Sequence, residues 1–377
     1  MGFRAGRRYR ASCAWPRLCR RADDGLSVPA GRPRRQPPCR YHQGCRLSAR
    51  GGGRAQCRQC RLRADVLYRN RIQAIMSTPD FDLAFEPAYG RAVPVAPGIE
   101  RMTVNNPSAF TFHGTNSYIV GGSSVAVIDP GPENEAHFAG LMAALRGREV
   151  THIFVSHTHR DHSPLAKRLK EATGALTVGE GPHRAARPLY RGEVNPFAES
   201  SDMEFQPDIV LGDGQSVSGD GWQMTALLTP GHTANHACFA LDGTGIVFSA
   251  DHVMAWATSI VAPPDGSMAD YMASLERLLA REDRLFLPGH GGPVKEPASF
   301  MRGLRTHRRM RERAVLERIK AGDRLIPDMV KAIYRETDPR LHGAAALSVL
   351  AHLEDLVEKG RVETDGPPAL FGTYRPV

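Results

Sequence analysis

Ser156-His157-Thr158-His159-Arg160-Asp161-His162 follows directly on the apolar run Val150-Thr151-His152-Ile153-Phe154-Val155, and this pairing decides the architecture. The run reads as a buried strand and the cluster as the loop leaving its C-terminal end. Residues two apart in an extended turn point the same way, so His157 and His159 can converge on one metal ion. Asp161 and His162, at the start of the next helical segment, can then face a second ion close by. Imidazole and carboxylate together suit Zn²⁺, and also Mn²⁺ or Fe²⁺ when carboxylates join. With 15 His in the chain, such a HxHxDH cluster arises by accident in roughly one chain per thousand. The motif is specific.

Its context is equally ordered. Downstream come Thr229-Pro230-Gly231-His232-Thr233, then Ser249-Ala250-Asp251-His252, then Leu287-Pro288-Gly289-His290-Gly291-Gly292. Each sets a His or Asp directly after a β-like run, where a ligand is rigidly presented. This series resembles the metallo-β-lactamase-fold hydrolases. The flanks Asn106-Pro107-Ser108-Ala109-Phe110-Thr111-Phe112-His113-Gly114-Thr115-Asn116-Ser117-Tyr118, Val127-Ile128-Asp129-Pro130-Gly131 and Gly231-His232-Thr233-Ala234-Asn235-His236 resemble the branch called β-lactamase-like protein 2. The similarity runs from about Ile99 to the C-terminus. It implies an α+β chain, a four-layer αββα metallo-β-lactamase sandwich followed by a small winged-helix domain.

The resemblance also implies a site with two Zn²⁺ per chain, or Mn²⁺ or Fe²⁺. The first ion would take His157, His159 and His232; the second Asp161, His162 and His290, with Asp251 bridging. Two such ions share a water that loses its proton near neutral pH, so the expected mechanism is attack by a metal-bridging hydroxide. Asp161 and Asp251 are the residues expected to carry the chemistry. His236 and His252 stand beside ligands as candidate substrate contacts, with structural packing an equal alternative. His113 and Asn116 belong to a loop that in similar proteins lies near the site mouth. His183 reads as a loop residue. Ala250 and Ala255 stand where Gly is usual in the family, which would narrow the pocket.

Composition bounds the rest. With 41% hydrophobic and 24% charged residues the chain is an ordinary globular one, and its length admits a large domain and a smaller one. The net charge of +9 is uneven: residues 1–75 hold 19 Arg and three acids (+16), residues 76–295 hold 15 basic and 25 acidic (−10), and residues 296–377 hold 15 basic and 12 acidic (+3). Six of the seven cysteines also lie in residues 1–75, so the body is not built on disulfides. Residues 1–75 lack periodicity and are crowded with Arg, Pro and Gly, so they read as a disordered or non-native extension, with Met76 a natural start. A zinc site from Cys39, His42, Cys45, Cys57 and Cys60, a transit peptide and an Arg-rich RNA-binding arm are the competing readings. Residues 76–295 are the expected catalytic domain and 296–377 the winged-helix-like one. No apolar stretch approaches a membrane span and no signal peptide is evident, so the sequence predicts a cytoplasmic protein without membrane association.

Three functions compete. The leading one is a binuclear hydrolase of a small ester, thioester or related acyl compound. The short interval between Asp251 and His290 excludes the large inserted domain of the nuclease branch, and the bridging Asp251 argues against an antibiotic-degrading lactamase. The second is an endoribonuclease on single-stranded RNA, gripped by the basic helix from Arg302 to Lys320 with Arg302, Arg305 and Arg309 on one face. The third is a winged-helix binding protein whose metal is only structural. A winged helix is also compatible with a homodimer.

Overall fold

The computed structural model describes residues 79–377; the zinc-site, transit-peptide and RNA-arm readings of residues 1–75 lie outside the described residues. The strands are β1 (Val93–Ala96), β2 (Ile99–Thr103), β3 (Asn116–Gly121), β4 (Ser124–Ile128), β5 (Glu149–Phe154), β6 (Leu176–Gly179), β7 (Ile209–Val210), β8 (Ser216–Gly219), β9 (Trp222–Leu228), β10 (Ala237–Leu241), β11 (Ile246–Ala250) and β12 (Leu285–Pro288). β1 to β7 form one sheet in sequence order; the second runs β12-β11-β10-β9-β8. The first is antiparallel through β4 and parallel from β4 to β7.

β4, β10 and β11 are buried at every residue, which fits strands covered on both faces and explains their unbroken apolar runs. Between the sheets lie Phe154, Phe239 and Phe248 with Tyr118 and Leu287. Burying each such phenylalanine contributes about 1.5–3 kcal/mol. On the outer face of the first sheet, helices α1 (Glu135–Ala144) and α2 (Leu165–Thr173) set Leu141, Leu165 and Leu169 against Ile119, Val127 and Ile153. Helix α1 starts where the Asn134 side chain accepts from His137 N–H, and α2 stops at Gly174 in the left-handed conformation. On the second sheet, α3 (Met268–Leu279) and α4 (Pro297–Lys320) pack Tyr271, Leu275 and Leu304 over Cys238, Val247 and Phe286. The four layers are helix, sheet, sheet, helix.

The chain continues through α5 (Ile326–Ile333), a 3₁₀ turn at Pro339–Leu341, α6 (His342–Glu358) and the hairpin β13 (Val362–Thr364) and β14 (Tyr374–Pro376). These share a core of Ile319, Met329, Leu353 and Tyr374, the winged-helix order that the sequence predicts. The second wing strand begins only at Tyr374. The Tyr374 hydroxyl donates to Ala369 O, and Ala369 N–H donates back to it, so residues 369–373 form a loop. Ala351 of α6 is buried together with Tyr271 and Leu304, so α6 also packs into the second-sheet core.

The architecture gathers the motifs at one edge. β11 and β12 are parallel, with Ala250 opposite Pro288, so Asp251 and His290 leave adjacent strand ends. β9 points the same way, since both β9 and β11 pair antiparallel with β10. The sheets join there: Ala237 N–H donates to Ser156 O (2.8 Å) and Asn116 N–H to Gly289 O (2.7 Å).

Candidate metal centre and cleft

Seven side chains converge at this edge as two triads joined by one carboxylate. His159 Nδ1 lies 3.0 Å from both His157 Nε2 and His232 Nε2. Asp161 Oδ2 lies 3.3 Å from His290 Nε2 and 3.5 Å from His162 Nε2. Asp251 stands between the two groups, Oδ1 3.3 Å from His290 Nε2 and Oδ2 3.7 Å from His232 Nε2. Ligand atoms of His157, His159 and His232, and those of Asp161, His162 and His290, each fall within 4.8 Å of one another, as metal ligands do.

The outer ring nitrogens settle the tautomers. His232 Nδ1–H donates to Ile260 O (2.6 Å), His290 Nδ1–H to Gly114 O (3.2 Å) and His162 Nδ1–H to Asp129 Oδ2 (3.0 Å). The Ser156 hydroxyl gives its proton to Asp129 Oδ2, so it accepts from His157 Nδ1–H at 3.0 Å. In their neutral forms all four rings thus present a bare Nε2 inward, the arrangement that outer partners impose on metal-ligating histidines. Asp251 Oδ1 is buried yet has no hydrogen bond, a cost that a cation relieves. A Cβ at Gly289 would stand 2.6 Å from Asp251 Oδ1 and 2.7 Å from His162 Cε1. The donor set, the tautomers and the orphaned oxygen fit divalent cations.

Electrostatics divides the halves. Burial, reinforced by its neighbour His232, pushes His159 down to about 3. Burial and the imidazoles of His162, His159 and His232 hold His157 well below the ordinary value. In the other half burial opposes charge but the carboxylates outweigh it: Asp161, Asp251 and Asp129 raise His162 to about 9, and Asp251 and Asp161 raise His290. Despite burial, the neighbouring histidines hold Asp161 and Asp251 below the usual carboxylate range. Burial thus disfavours the charged imidazole at His157 and His159, and the carboxylates favour it at His162 and His290.

Above this floor opens a cleft of about 540 Å³. His159, Asp161, His232 and Asp251 reach it. Its walls come from the 108–111 loop with Phe110, the 254–262 segment with Met254, Trp256 and Ile260, the 197–200 turn with Phe197, and Leu341. Trp256 stacks on Phe112 at 4.8 Å.

None of the four side chains expected against substrate lines the cleft. Asn116 is fully buried, donating to Pro288 O and Gly291 O and accepting from Thr103. It ties β3 to the His290 loop. His236 is buried between Thr229 Oγ1 and Asp251 N–H. His252 is buried against Tyr271, and His113 packs on Phe112 and Phe85. Ala250 and Ala255 do not line the cleft either, so they do not narrow it. Ala250 instead sits at φ 42°, which shows why a glycine suits that position. His183 is in a loop as expected, with its ring 3.0 Å from Thr158 Oγ1.

The sequence reading overlooked Asp129. At φ 47° it accepts from Ser156 N–H, the Ser156 hydroxyl and His162 Nδ1–H. Its one signal is an Asp immediately after a wholly buried strand.

Comparison with known proteins agrees with this geometry. Residues 110–290 match the metallo-beta-lactamase superfamily and residues 326–367 the beta-lactamase associated winged helix domain. The chain carries a metallo-beta-lactamase superfamily domain followed by a beta-lactamase associated winged helix domain. The chain is similar to a β-lactamase-like protein 2 homolog of Drosophila melanogaster, 28% identical over 302 residues, covering 74% of this chain and 97% of that one. It is also similar to an atrochrysone carboxyl ACP thioesterase of Aspergillus fumigatus, 28% identical over 240 residues, covering 61% of this chain and 69% of that one. Among solved structures, a metallo-β-lactamase family protein from Thermus thermophilus superposes with TM-score 0.61 at 24% identity, over 75% of this chain and 100% of that one. A β-lactamase domain protein from Burkholderia ambifaria gives TM-score 0.64 at 22% identity, over 79% and 97%. These two likenesses concern the fold. Among the described residues no helix is long and apolar enough to cross a membrane.

Proposed function

We propose that the chain is a two-metal hydrolase of small apolar esters or thioesters, with residues 76–295 as the catalytic domain and 296–377 as a winged-helix-like appendage. The observation that carries this reading is the position of two ligand triads, sharing Asp251, at the floor of a cleft with apolar walls. His157, His159 and His232 would hold one cation and Asp161, His162 and His290 the other. Bound there, a pair of Zn²⁺, Mn²⁺ or Fe²⁺ ions supplies Lewis acidity and a nucleophile from water at neutral pH. The protein's own contribution is orientation. Ile260, Gly114 and Asp129 fix the rings, and Asp251, which faces both triads, would offer a carboxylate to either cation and offset part of its charge. Asp161, its side chain 27% exposed, is the more open of the two candidate-ligand carboxylates that reach the cleft. Trp256, Phe110 and Phe197 exclude water from an acyl group. The thioesterase among the relatives supports acyl chemistry.

Neither alternative finds a favouring observation. Part of the basic helix is already engaged: Arg308 is buried and donates to Ser259 O, while Arg305 and Arg309 share Glu276. A purely structural metal is disfavoured because four of the seven ligands reach an open cleft.

The test loads the chain with Zn²⁺ or Mn²⁺, counts bound metal, and assays acyl thioesters beside single-stranded RNA, with Asp161→Ala as control. Two ions per chain and thioester turnover that collapses in the variant are expected. RNA cleavage alone would displace the proposal, and absence of bound metal would end it.

A further inference from the structure

The cleft is not closed by the superfamily domain alone. Leu341, the last residue of the Pro339–Leu341 turn that leads into α6, forms part of its wall with Phe110, Phe197 and Trp256. A second element of the C-terminal module reaches the same wall indirectly. Glu354 of α6 accepts from Arg187 Nε (3.0 Å) and Nη2 (2.6 Å), and Arg187 also grips both oxygens of Glu193 at 2.7 Å. The Arg187 and Glu354 side chains are only 17% and 19% exposed, so this pair is shielded from the screening that weakens surface pairs. Arg187 further lies 4.1 Å over the Tyr190 ring. Its loop is moored at other points, where Ala186 N–H donates to Pro264 O (2.8 Å) and Asn195 Nδ2 to Asp265 Oδ1 (2.8 Å). Asn195 Oδ1 then accepts from Phe197 N–H, which fixes the aromatic residue in the cleft wall. Helix α6 thus holds Leu341 at one end and, through Glu354 and Arg187, the loop that carries Phe197.

We propose that the C-terminal module is the specificity wall of the cleft: Leu341 selects among apolar acyl groups by bulk, and the Arg187–Glu354 pair sets the position of Phe197 opposite. This inference rests on the acyl-hydrolase proposal for the same site. The substrate class it names is the thioester or ester of a medium-chain or aromatic acid. A cleft of about 540 Å³ encloses a ligand of that size. Leu341 and Phe197 are the specificity-determining residues, and Arg187 and Glu354 are positioning residues.

The experiment uses the metal-loaded full chain and a series of acyl thioesters from acetyl to decanoyl. Its readout is the decanoyl-to-acetyl ratio of kcat/KM. Leu341→Trp lowers that ratio by roughly ten-fold or more, and Leu341→Ala moves the optimum to bulkier acyl groups, as apolar pocket changes do. Glu354→Gln lowers the ratio through KM for decanoyl, and Arg187→Leu does the same. In parallel, decanoate binding is followed by tryptophan fluorescence, which needs no turnover. If the chain hydrolyses no thioester yet binds decanoate, and Leu341→Trp weakens that binding, the wall assignment stands and the acyl-hydrolase reading falls. The assignment is overturned if the wild type binds no decanoate. It is equally overturned if ratio and affinity in both Leu341 variants stay within about two-fold of wild type.

Discussion

Asp129 has a carboxylate that accepts three hydrogen bonds from Ser156 and His162 while its backbone holds φ 47°. Asn tolerates that backbone region, so Asp129→Asn isolates the charge. Metal affinity, measured by chelator competition, is expected to fall about 10–100-fold, the usual effect of removing a ligand's outer partner. Ala250 is the converse case, a non-glycine at φ 42° beside Asp251. Ala250→Gly is expected to raise stability by up to about 1 kcal/mol in denaturant unfolding. The seven candidate ligands are legible in the sequence because each follows a strand end within a short motif. Asp129 is not, because its role exists only once β4 and β5 pair and set it beside Ser156. For His236 and His252, adjacency to ligands says nothing about which way a ring points, and both turn into the core.

At the scale of elements, Asp208 shows how a loop residue fastens a helix to a sheet. It accepts from Lys170 on α2 and from the backbone and hydroxyl of Thr177 on β6. These partners, Lys170 first, lower its pKa to about 2 from an ordinary value of 3.8. Its contribution is therefore complete above pH 3.8 and lost as pH falls toward about 2. Asp208→Asn is expected to cost about 1–2 kcal/mol at neutral pH and to flatten the acid limb of a stability–pH curve. Wholly buried strands such as β4 and β11, and α3 with its apolar face, are readable from pattern alone. The strands β6, β7 and β8 have between two and four residues. That is too few for alternation to register, and only pairing defines them. The basic run on α4 misleads for a related reason. Composition counts its charges, but tertiary packing buries Arg308 beneath Ser259 and Tyr271 and turns Arg305 and Arg309 toward Glu276.

For the whole molecule, the candidate metal edge joins both sheets, so on the two-metal proposal metal removal acts on global stability. A chelator is expected to lower the melting temperature, and added Zn²⁺ or Mn²⁺ to restore it. At free metal 100 times Kd, each site stabilises by about 2.7 kcal/mol. An unchanged melting curve in a chain shown to have lost its metal would count against a centre that holds the sheets together. The order of the strands carries one more consequence. His157, His159 and His232 leave the ribosome well before His290, which follows β12, the last strand of the second sheet. A nascent chain halted before β12 already owns one complete triad but only part of the other, and the parallel partner that presents His290 is missing. On the two-metal proposal the second cation site is completed only after the first, and its filling would mark a polypeptide whose sandwich has closed.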